Sequence, residues 1–489
     1  MKLNELYENA PDVEITGIKI NSKEINKGDL FICTMGATVD RHNFIGDAIK
    51  KGAKALIVSK EVDASIPYVK VENTNKELPK IARKFYNHPE NRMNVIGVTG
   101  TDGKTTTTTV IQTLLGSDKC AYMGTNGRSC AKFSKTTANT TPGAEVLYGY
   151  LDEFINAGCD TIAMEASSEA FYNGRLEGMP FLVGAITNVT SEHLNTHKTF
   201  ENYLNCKCKL FDQIRKDGYA ILNKDDEHFN EVLSHCKCKV LTYGRDESCN
   251  LYIKDFKIFS DKTLITFVLF GKTYEVISPL LGDFNVYNLA CALLSCVALG
   301  KKMEDLIPNI SKINVSGRLD MLPNIGQDFY CMVDYAHTPN AIDKILNFVH
   351  TLGVNKSIVV NGSAGERDHT KRPQMGEAVL KNASYAIFTY EDPRSEDPLE
   401  IIKEMTSTVK GVYNNYEVIV DRRQAIRRAI ELASENDIVL ILGKGNETYE
   451  KLSTGTIYFN DEEEAMAAIK EKLETKKLTL NKLDKYACL

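Results

Sequence analysis

The stretch Asn94-Val95-Ile96-Gly97-Val98-Thr99-Gly100-Thr101-Asp102-Gly103-Lys104-Thr105-Thr106 decides how this chain folds. An apolar, β-rich run passes through glycines into a Thr-rich helix start. Strand, glycine loop and helix in that order are what a doubly wound sheet uses to aim a helix N-terminus at an anion. Gly100 and Gly103 free the backbone to curl, so that consecutive N–H groups from Gly100, Thr101, Asp102 and Gly103 face one point. Lys104 then adds a point charge for β- and γ-phosphates, and the Thr105 hydroxyl, with Thr106 beside it, suits Mg²⁺. The strict Walker spacing requires glycine at position 98, where this chain has Val98. The loop is therefore a variant. An ordinary glycine-rich turn is the alternative, but Gly-Lys-Thr-Thr directly after a buried strand favours a nucleoside triphosphate.

Outward from this loop, 489 residues correspond to about three domains. On the N-terminal side, short β-rich runs at 14–20, 30–34, 55–59 and 67–71 flank a helical pattern over 41–52. That is a small α/β unit. A helix around 78–86 ends in His88-Pro89, which marks a boundary near residue 90. From Met93 the pattern alternates strands at 95–98, 161–165, 184–189 and 219–223 with helices, up to a helix over 285–299. Ser316-Gly317-Arg318 breaks it. Apolar runs at 330–333, 357–360, 385–389, 418–420 and 438–442 then repeat the theme as a Rossmann-like unit. The expectation is an α/β protein of three domains, 1–90, 91–316 and 317–489, with the central one a P-loop doubly wound sheet.

Composition narrows the function. Hydrophobic residues at 43% and charged residues at 25% describe an ordinary globular chain, and the net charge of −6 with no basic run argues against a nucleic-acid partner. No stretch of 18 apolar residues exists, and the first twenty residues carry Glu5, Glu8, Asp12 and Glu14. A cytoplasmic, monomeric protein with no membrane partner is expected. Thirteen cysteines are scattered, and the close pairs Cys206/Cys208 and Cys236/Cys238 are too tightly spaced for a zinc site, so reduced, buried thiols are the expectation.

Several distant segments, taken with the loop, resemble the Mur ligases, ATP-dependent amino-acid ligases of peptidoglycan precursor synthesis. They are Met164-Glu165-Ala166-Ser167-Ser168, Thr187-Asn188 with His193-Leu194, Tyr203 through Lys207, Gly282-Asp283-Phe284-Asn285 with Asn288, Gly317-Arg318, and Asp334-Tyr335-Ala336-His337-Thr338-Pro339. Gly365-Glu366-Arg367-Asp368, Lys371-Arg372-Pro373 and Gly443-Lys444-Gly445 are similar to the branch of that family that adds a diamino acid. The resemblance covers essentially the whole chain. It implies amide formation through an acyl phosphate, with ATP as co-substrate and Mg²⁺ as cofactor. The acceptor it implies is UDP-N-acetylmuramoyl-L-alanyl-D-glutamate.

Residue roles follow from the resemblance alone. Glu165 and His193 become Mg²⁺ ligands, and Lys207 becomes a lysine carbamylated into a third. A Glu at a strand end also reads as a rim residue, an isolated His as structural, and a helix Lys as unmodified. Asn285, Asn288, Arg318, Asp334 and His337 are implied to hold the nucleotide, although Asn285 also fits a helix cap. Ser22, Asn139, Thr140, Thr141, Ser167, Asn173 and Arg175 are implied for the muramoyl-peptide nucleotide. There the branch commonly has Asp-Ser-Arg where this chain has Asn21-Ser22-Lys23, which loses a bidentate fork. Arg367, Asp392, Arg394, Gly443 and Glu447 are implied for the incoming amino acid. The branch's diaminopimelate enzymes typically show Asp-Asn-Pro-Arg against Glu391-Asp392-Pro393-Arg394 here. Arg394 with Glu447 suits a zwitterionic terminus, and free lysine would leave a buried Arg394 partly unpaired at about 1–3 kcal/mol. Asp392, by contrast, favours a cationic side chain. Meso-diaminopimelate is preferred to L-lysine. Glu169 and Asn361-Gly362-Ser363-Ala364 also depart from the family pattern, which keeps open a divergent ligase for another amino acid or carrier, such as a polyglutamate-adding enzyme. A non-catalytic nucleotide-binding scaffold is the alternative from another class.

Overall fold

The computed structural model describes residues 1–36, 39–190, 192, 194–259 and 261–487. Two compact units emerge, one of Met1–Val189, Glu201–Tyr252 and Leu289–Asn309, the other of Thr190–Phe200, Ile253–Asn288 and Ile310–Leu489.

The first unit opens with a four-stranded, all-parallel sheet in chain order: Ile18–Lys19, Leu30–Ile32, Ala55–Val58 and Tyr68–Lys70. Phe31, Leu56 and Val58 pack with Ala48 of the helix Ile45–Lys50. The run expected over 14–20 contracts to two paired residues. Helix Thr74–Phe85 follows, its start capped by the Asn73 side chain, which accepts from the Asn75 and Lys76 amides.

The larger sheet of this unit has parallel strands in the order Lys239–Gly244, Ile214–Asn223, Phe181–Ile186, Asn94–Thr99, Thr161–Glu165 and Cys120–Gly124. Asn94–Thr99 is central, and Val95, Ile96 and Val98 are buried, as a strand covered on both faces requires. The chain leaves this strand toward Cys120–Gly124 on one side and returns to Phe181–Ile186 on the other. The topology therefore switches beside Asn94–Thr99, and the crevice at a switch point is where open α/β sheets bind ligands.

The second unit has a six-stranded sheet in the order Asp320–Met321, Tyr330–Asp334, Ile438–Leu442, Ser357–Asn361, Tyr385–Phe388 and Tyr416–Val418, parallel except for the first strand. Alternate residues divide between two cores. Met332, Val359, Phe388 and Leu440 meet Ile342 and Leu346 of helix Pro339–His350 and Val379 of helix Arg372–Asn382. Val333, Val360, Ile387 and Ile441 meet Ile426 and Ile430 of helix Arg422–Leu432 and Ile469 of helix Asp461–Ala487. Sheets covered by helices on both faces are the α/β architecture the alternating pattern predicts. An antiparallel hairpin, Thr263–Leu269 with Lys272–Ser278, also belongs here. Among the described residues no helix is long and apolar enough to cross a membrane.

Candidate active site

The glycine loop sits at the carboxyl end of Asn94–Thr99, and the Gly103 backbone (φ +83°) turns it into helix Lys104–Leu115. Gly100 has φ +141°, and a Cβ there would lie 1.9 Å from Thr187 Oγ1, so only glycine fits this bend. The neighbouring strand end clamps the loop. The Thr101 amide donates to Asn188 O (2.8 Å), the Asp102 amide to Asn188 Oδ1 (3.1 Å), and Asp102 O accepts from Thr187 Oγ1 (2.6 Å) and Asn188 Nδ2 (3.0 Å). Lys104 Nζ curls back onto Gly100 O (2.9 Å) and Thr101 O (2.8 Å). Lys207, only 1% exposed, reaches Gly100 O at 2.6 Å, with its ammonium 4.3 Å from the Tyr203 ring centre and the Tyr203 hydroxyl 3.0 Å from Thr101 Oγ1. Expected residues from three distant segments thus converge on one bend.

Glu165 ends the adjacent strand in register with Val98, and the next amide, of Ala166, donates to Val98 O. Its buried carboxylate is aimed by residues the sequence reading missed. Oε1 accepts from the Tyr122 hydroxyl (3.1 Å) and the Thr125 amide (2.8 Å), and Oε2 from Thr125 Oγ1 (3.2 Å). A Cβ at Gly124 would lie 2.2 Å from Oε1, so this glycine makes room for the carboxylate. No group of three or more His, Cys, Asp or Glu side chains among the described residues is arranged to hold a metal ion. Mg²⁺ needs no such group when one carboxylate and substrate phosphates share its shell with water, and Glu165 and Thr105 offer the hard oxygens it takes. His193 lies outside the described residues.

Around the same strand end, Thr141 Oγ1 donates to Glu165 O (2.7 Å) and lies 3.1 Å from Ser167 Oγ, Arg175 donates to Thr141 O (3.0 Å), and Thr140 Oγ1 meets Thr125 Oγ1 (3.2 Å). Asn139 is exposed, and Asn173 bonds its own helix at Glu169 O. Ser22, nearly buried, starts a short 3₁₀ turn whose Lys23 amide is accepted by Asn21 Oδ1 (3.0 Å).

In the second unit, several residues assigned to the nucleotide have structural partners. Asp334 accepts from the Leu319 amide at Oδ2 and the Ala336 amide at Oδ1, both at 2.7 Å. The Arg318 guanidinium carbon lies 4.4 Å from the Tyr335 ring centre, and His337 Nδ1 is 2.8 Å from Tyr335 O. Asn285 Nδ2 donates to Leu281 O (2.7 Å) and Asn288 Nδ2 to Asn285 Oδ1 (2.9 Å), tying both amides to the start of helix Asp283–Ala298.

The residues assigned to the amino acid cluster at the carboxyl edge of the six-stranded sheet. Lys444, fully buried, donates to Asp392 Oδ1 (2.7 Å) and Glu447 Oε2 (3.1 Å). Burial alone would lower the Lys444 pKa, but Glu447, Asp392 and Glu391 outweigh it and hold it above the ordinary value. Glu447 Oε1 also accepts from Tyr449 (3.3 Å) and Tyr335 (3.4 Å). Burial pushes the Glu391 carboxyl up, and Gly443 (φ +120°) lies beside it, since a Cβ there would stand 3.0 Å from Glu391 Oε2. Arg394 has left-handed backbone (φ +55°), its amide donates to Lys451 O (2.9 Å), and its buried Nε has no hydrogen-bond partner among the described residues. Arg367 is exposed on the neighbouring turn. Glu450, absent from the sequence reading, is 3% exposed with a pKa pushed up to about 7 by burial. Burial also pushes the thiols of Cys206, Cys208, Cys236 and Cys238 above the ordinary cysteine value.

Comparison with known proteins matches these regions to three family models: the Mur ligase family, catalytic domain over residues 14–94; the Mur ligase middle domain over 98–296; and the Mur ligase, glutamate ligase domain over 317–445. The UDP-N-acetylmuramoyl-L-alanyl-D-glutamate--2,6-diaminopimelate ligase of Bacillus cereus is 36% identical over 469 residues, covering 94% of this chain and 95% of that one. The enzyme of the same name from Clostridioides difficile is 36% identical over 482 residues, with 95% and 99% covered. A solved structure of a ligase of that name superposes with a TM-score of 0.67 at 28% identity, over 96% of this chain and 99% of that chain. The Thermotoga maritima MurF ligase in complex with ADP shares the fold at a TM-score of 0.65 and 20% identity, with 94% and 98% covered. With three family domains matched in order and relatives aligned over nearly their whole lengths, the chain belongs to the Mur ligase family of ATP-dependent ligases.

Proposed function

We propose that this ligase joins meso-diaminopimelate to UDP-N-acetylmuramoyl-L-alanyl-D-glutamate in peptidoglycan precursor synthesis. Residues 1–90 take the uridine end, 91–316 the ATP, and 317–489 the incoming amino acid. An acceptor carboxylate oxygen attacks the γ-phosphorus, ADP leaves, and the amine of the amino acid then displaces phosphate from the acyl phosphate through a tetrahedral intermediate. Two anions must meet in the first step, so positive charge has to stand between them. Lys104 and the first-turn amides of its helix face the phosphates. Glu165 and Thr105, joined by His193 and by Lys207 as its carbamate, would hold Mg²⁺, which screens phosphate charge during the transfer. Thr141, Ser167 and Arg175, linked to one another beside Glu165, place the acceptor.

The observation that carries the choice of amino acid is the Asp392–Lys444 pair, 2.7 Å apart and buried. Asp392 alone favours a cationic side chain, but it is already paired with Lys444, an ammonium it shares with Glu447. Arg394, its Nε unpartnered among the described residues, is left to receive a carboxylate, which diaminopimelate carries at its far end and lysine does not. The test is ADP release by purified protein with the muramoyl-dipeptide nucleotide and a panel of amino acids. Turnover with meso-diaminopimelate and little with L-lysine is expected. Release only with lysine, or only with a polyglutamate-type acceptor, would overturn the assignment.

A further inference from the structure

Arg372 begins helix Arg372–Asn382 and is completely buried, yet its guanidinium is turned out of the helix and under two loops. One terminal nitrogen, NH1, is 2.9 Å from Glu396 Oε2, 2.8 Å from Glu404 Oε2 and 2.8 Å from His369 Nδ1. The other, NH2, donates to Ala364 O at 2.9 Å. Glu396 passes the contact on, because its second oxygen accepts from the Glu366 amide. One guanidinium therefore grips the turn 363–368 through Ala364 and, through Glu396, the turn 390–396 as well.

The same two turns are fastened along their length. The Glu391 amide donates to Ser363 O (3.4 Å) and the Gly365 amide to Asp392 O (2.8 Å). Ser395 Oγ donates to Glu366 Oε1 at 2.5 Å. Gly365 is so close to the opposite turn that a Cβ would stand 2.0 Å from Pro393 O. Glu366 and Arg394 both adopt left-handed backbone, at φ +55° each, a conformation that non-glycine residues keep only when their surroundings impose it. The first turn carries Arg367 and the second carries Arg394.

We infer that Arg372 is a positioning residue for the amino-acid site, setting the separation of Arg367 and Arg394 by bridging Ala364 and Glu396 beneath them. The inference rests on the proposal that Arg367 and Arg394 receive the carboxylates of the incoming amino acid. Being fully buried, Arg372 acts through the two turns. Its fork is what the geometry uses, since one nitrogen serves the carboxylates and the other the carbonyl, while a lysine has a single nitrogen for both. A carboxylate clamp displaced by even 1 Å loses much of its grip on a small zwitterion.

The experiment is steady-state kinetics on Arg372→Lys, Arg394→Ala and the double variant, with KM measured separately for diaminopimelate, ATP and the nucleotide acceptor. Arg372→Lys is expected to raise KM for diaminopimelate about tenfold and to leave the other two within about twofold. In the Arg394→Ala background the same change should add less than it does alone, because only its effect through Arg367 remains. Equal rises in all three KM values, an unchanged diaminopimelate KM, or full additivity with Arg394→Ala would each overturn the inference while leaving the amino-acid site intact. An Arg394→Ala variant with unchanged diaminopimelate KM would overturn that site assignment, and the inference with it. Should Arg372→Lys not fold, Glu396→Gln, which keeps the side-chain shape and removes one of the two bridging acceptors, is read against the same outcomes.

Discussion

Lys104 and Lys207 donate to the same backbone oxygen: Gly100 O lies 2.9 Å from the first ammonium and 2.6 Å from the second. Lys104 also donates to Thr101 O (2.8 Å), so its ammonium is held at the bend on neutral carbonyls, from which a polyphosphate would draw it. Lys104→Met should therefore lower kcat about 10²- to 10³-fold, as loss of one positioned donor does elsewhere. Its melting temperature should stay near wild type without ligand, because Lys104 Nζ bonds the loop carbonyls of Gly100 and Thr101. The rise in melting temperature that ATP gives the wild type should vanish. Thermal scans with and without ATP, beside an ADP-release assay, check this, and a retained ATP shift would remove Lys104 from the phosphates.

Lys207 is buried against Tyr203, and carbamylation would turn it from a cation into a carboxylate. Lys207→Ala should abolish turnover, and short carboxylates such as acetate should restore part of it by supplying the missing oxygens. Wild-type protein stripped of carbon dioxide should lose activity and regain it with bicarbonate. Turnover untouched by the substitution would exclude the carbamate from the reaction.

Arg394 is proposed to separate the two amino acids. Hydrogen bonds between a guanidinium and a carboxylate contribute about 1.5–3 kcal/mol when desolvated. Arg394→Ala should thus raise KM for diaminopimelate by about 10- to 100-fold and change KM for L-lysine less than about threefold. Competition between the two substrates gives the ratio directly, and equal losses would refute a carboxylate at this position.

The parts of this protein legible in the sequence are those where function and local backbone geometry coincide. The run from Asn94 to Thr106 announces strand, bend and helix because Gly100 tolerates nothing larger against Thr187 and Lys104 follows at the helix start. What aims Glu165 was not legible. Tyr122 and Thr125 reach it from 43 and 40 residues away, and their neighbourhood exists only once Cys120–Gly124 pairs with Thr161–Glu165. Asp392 gives the sharper example. Read alone it is a negative charge favouring a cationic substrate, and only the fold brings Lys444, 52 residues later, to pair with it. Arg372 was visible as part of a motif, but its grip on Glu396 and Glu404 depends on helix Pro398–Met405 packing beside its own. Long-range pairing decides such roles, and residue spacing does not encode it.

Glu450 makes stability depend on pH in the direction opposite to an ordinary surface carboxylate. It sits on strand Tyr449–Leu452 with the Tyr390 hydroxyl 3.5 Å away, and burial raises its pKa from 4.5 to about 7. Arg422 and Lys444 pull it down in part, while Asp392 and Asp421 push it the same way as burial. Between those two values the folded protein keeps a proton that the unfolded chain has released, so this group's contribution is intact below about pH 4.5 and is lost as the pH rises through about 7. Glu450→Gln cannot ionise and keeps the hydrogen-bonding shape. At pH 5 the two proteins should unfold at similar urea concentrations, and at pH 8 the variant should be the more stable by up to about 3 kcal/mol. If wild type and variant respond identically to pH, Glu450 is charged in the folded protein throughout this range, and the acidic edge holding Asp392, Glu447 and Lys444 carries one more negative charge than proposed.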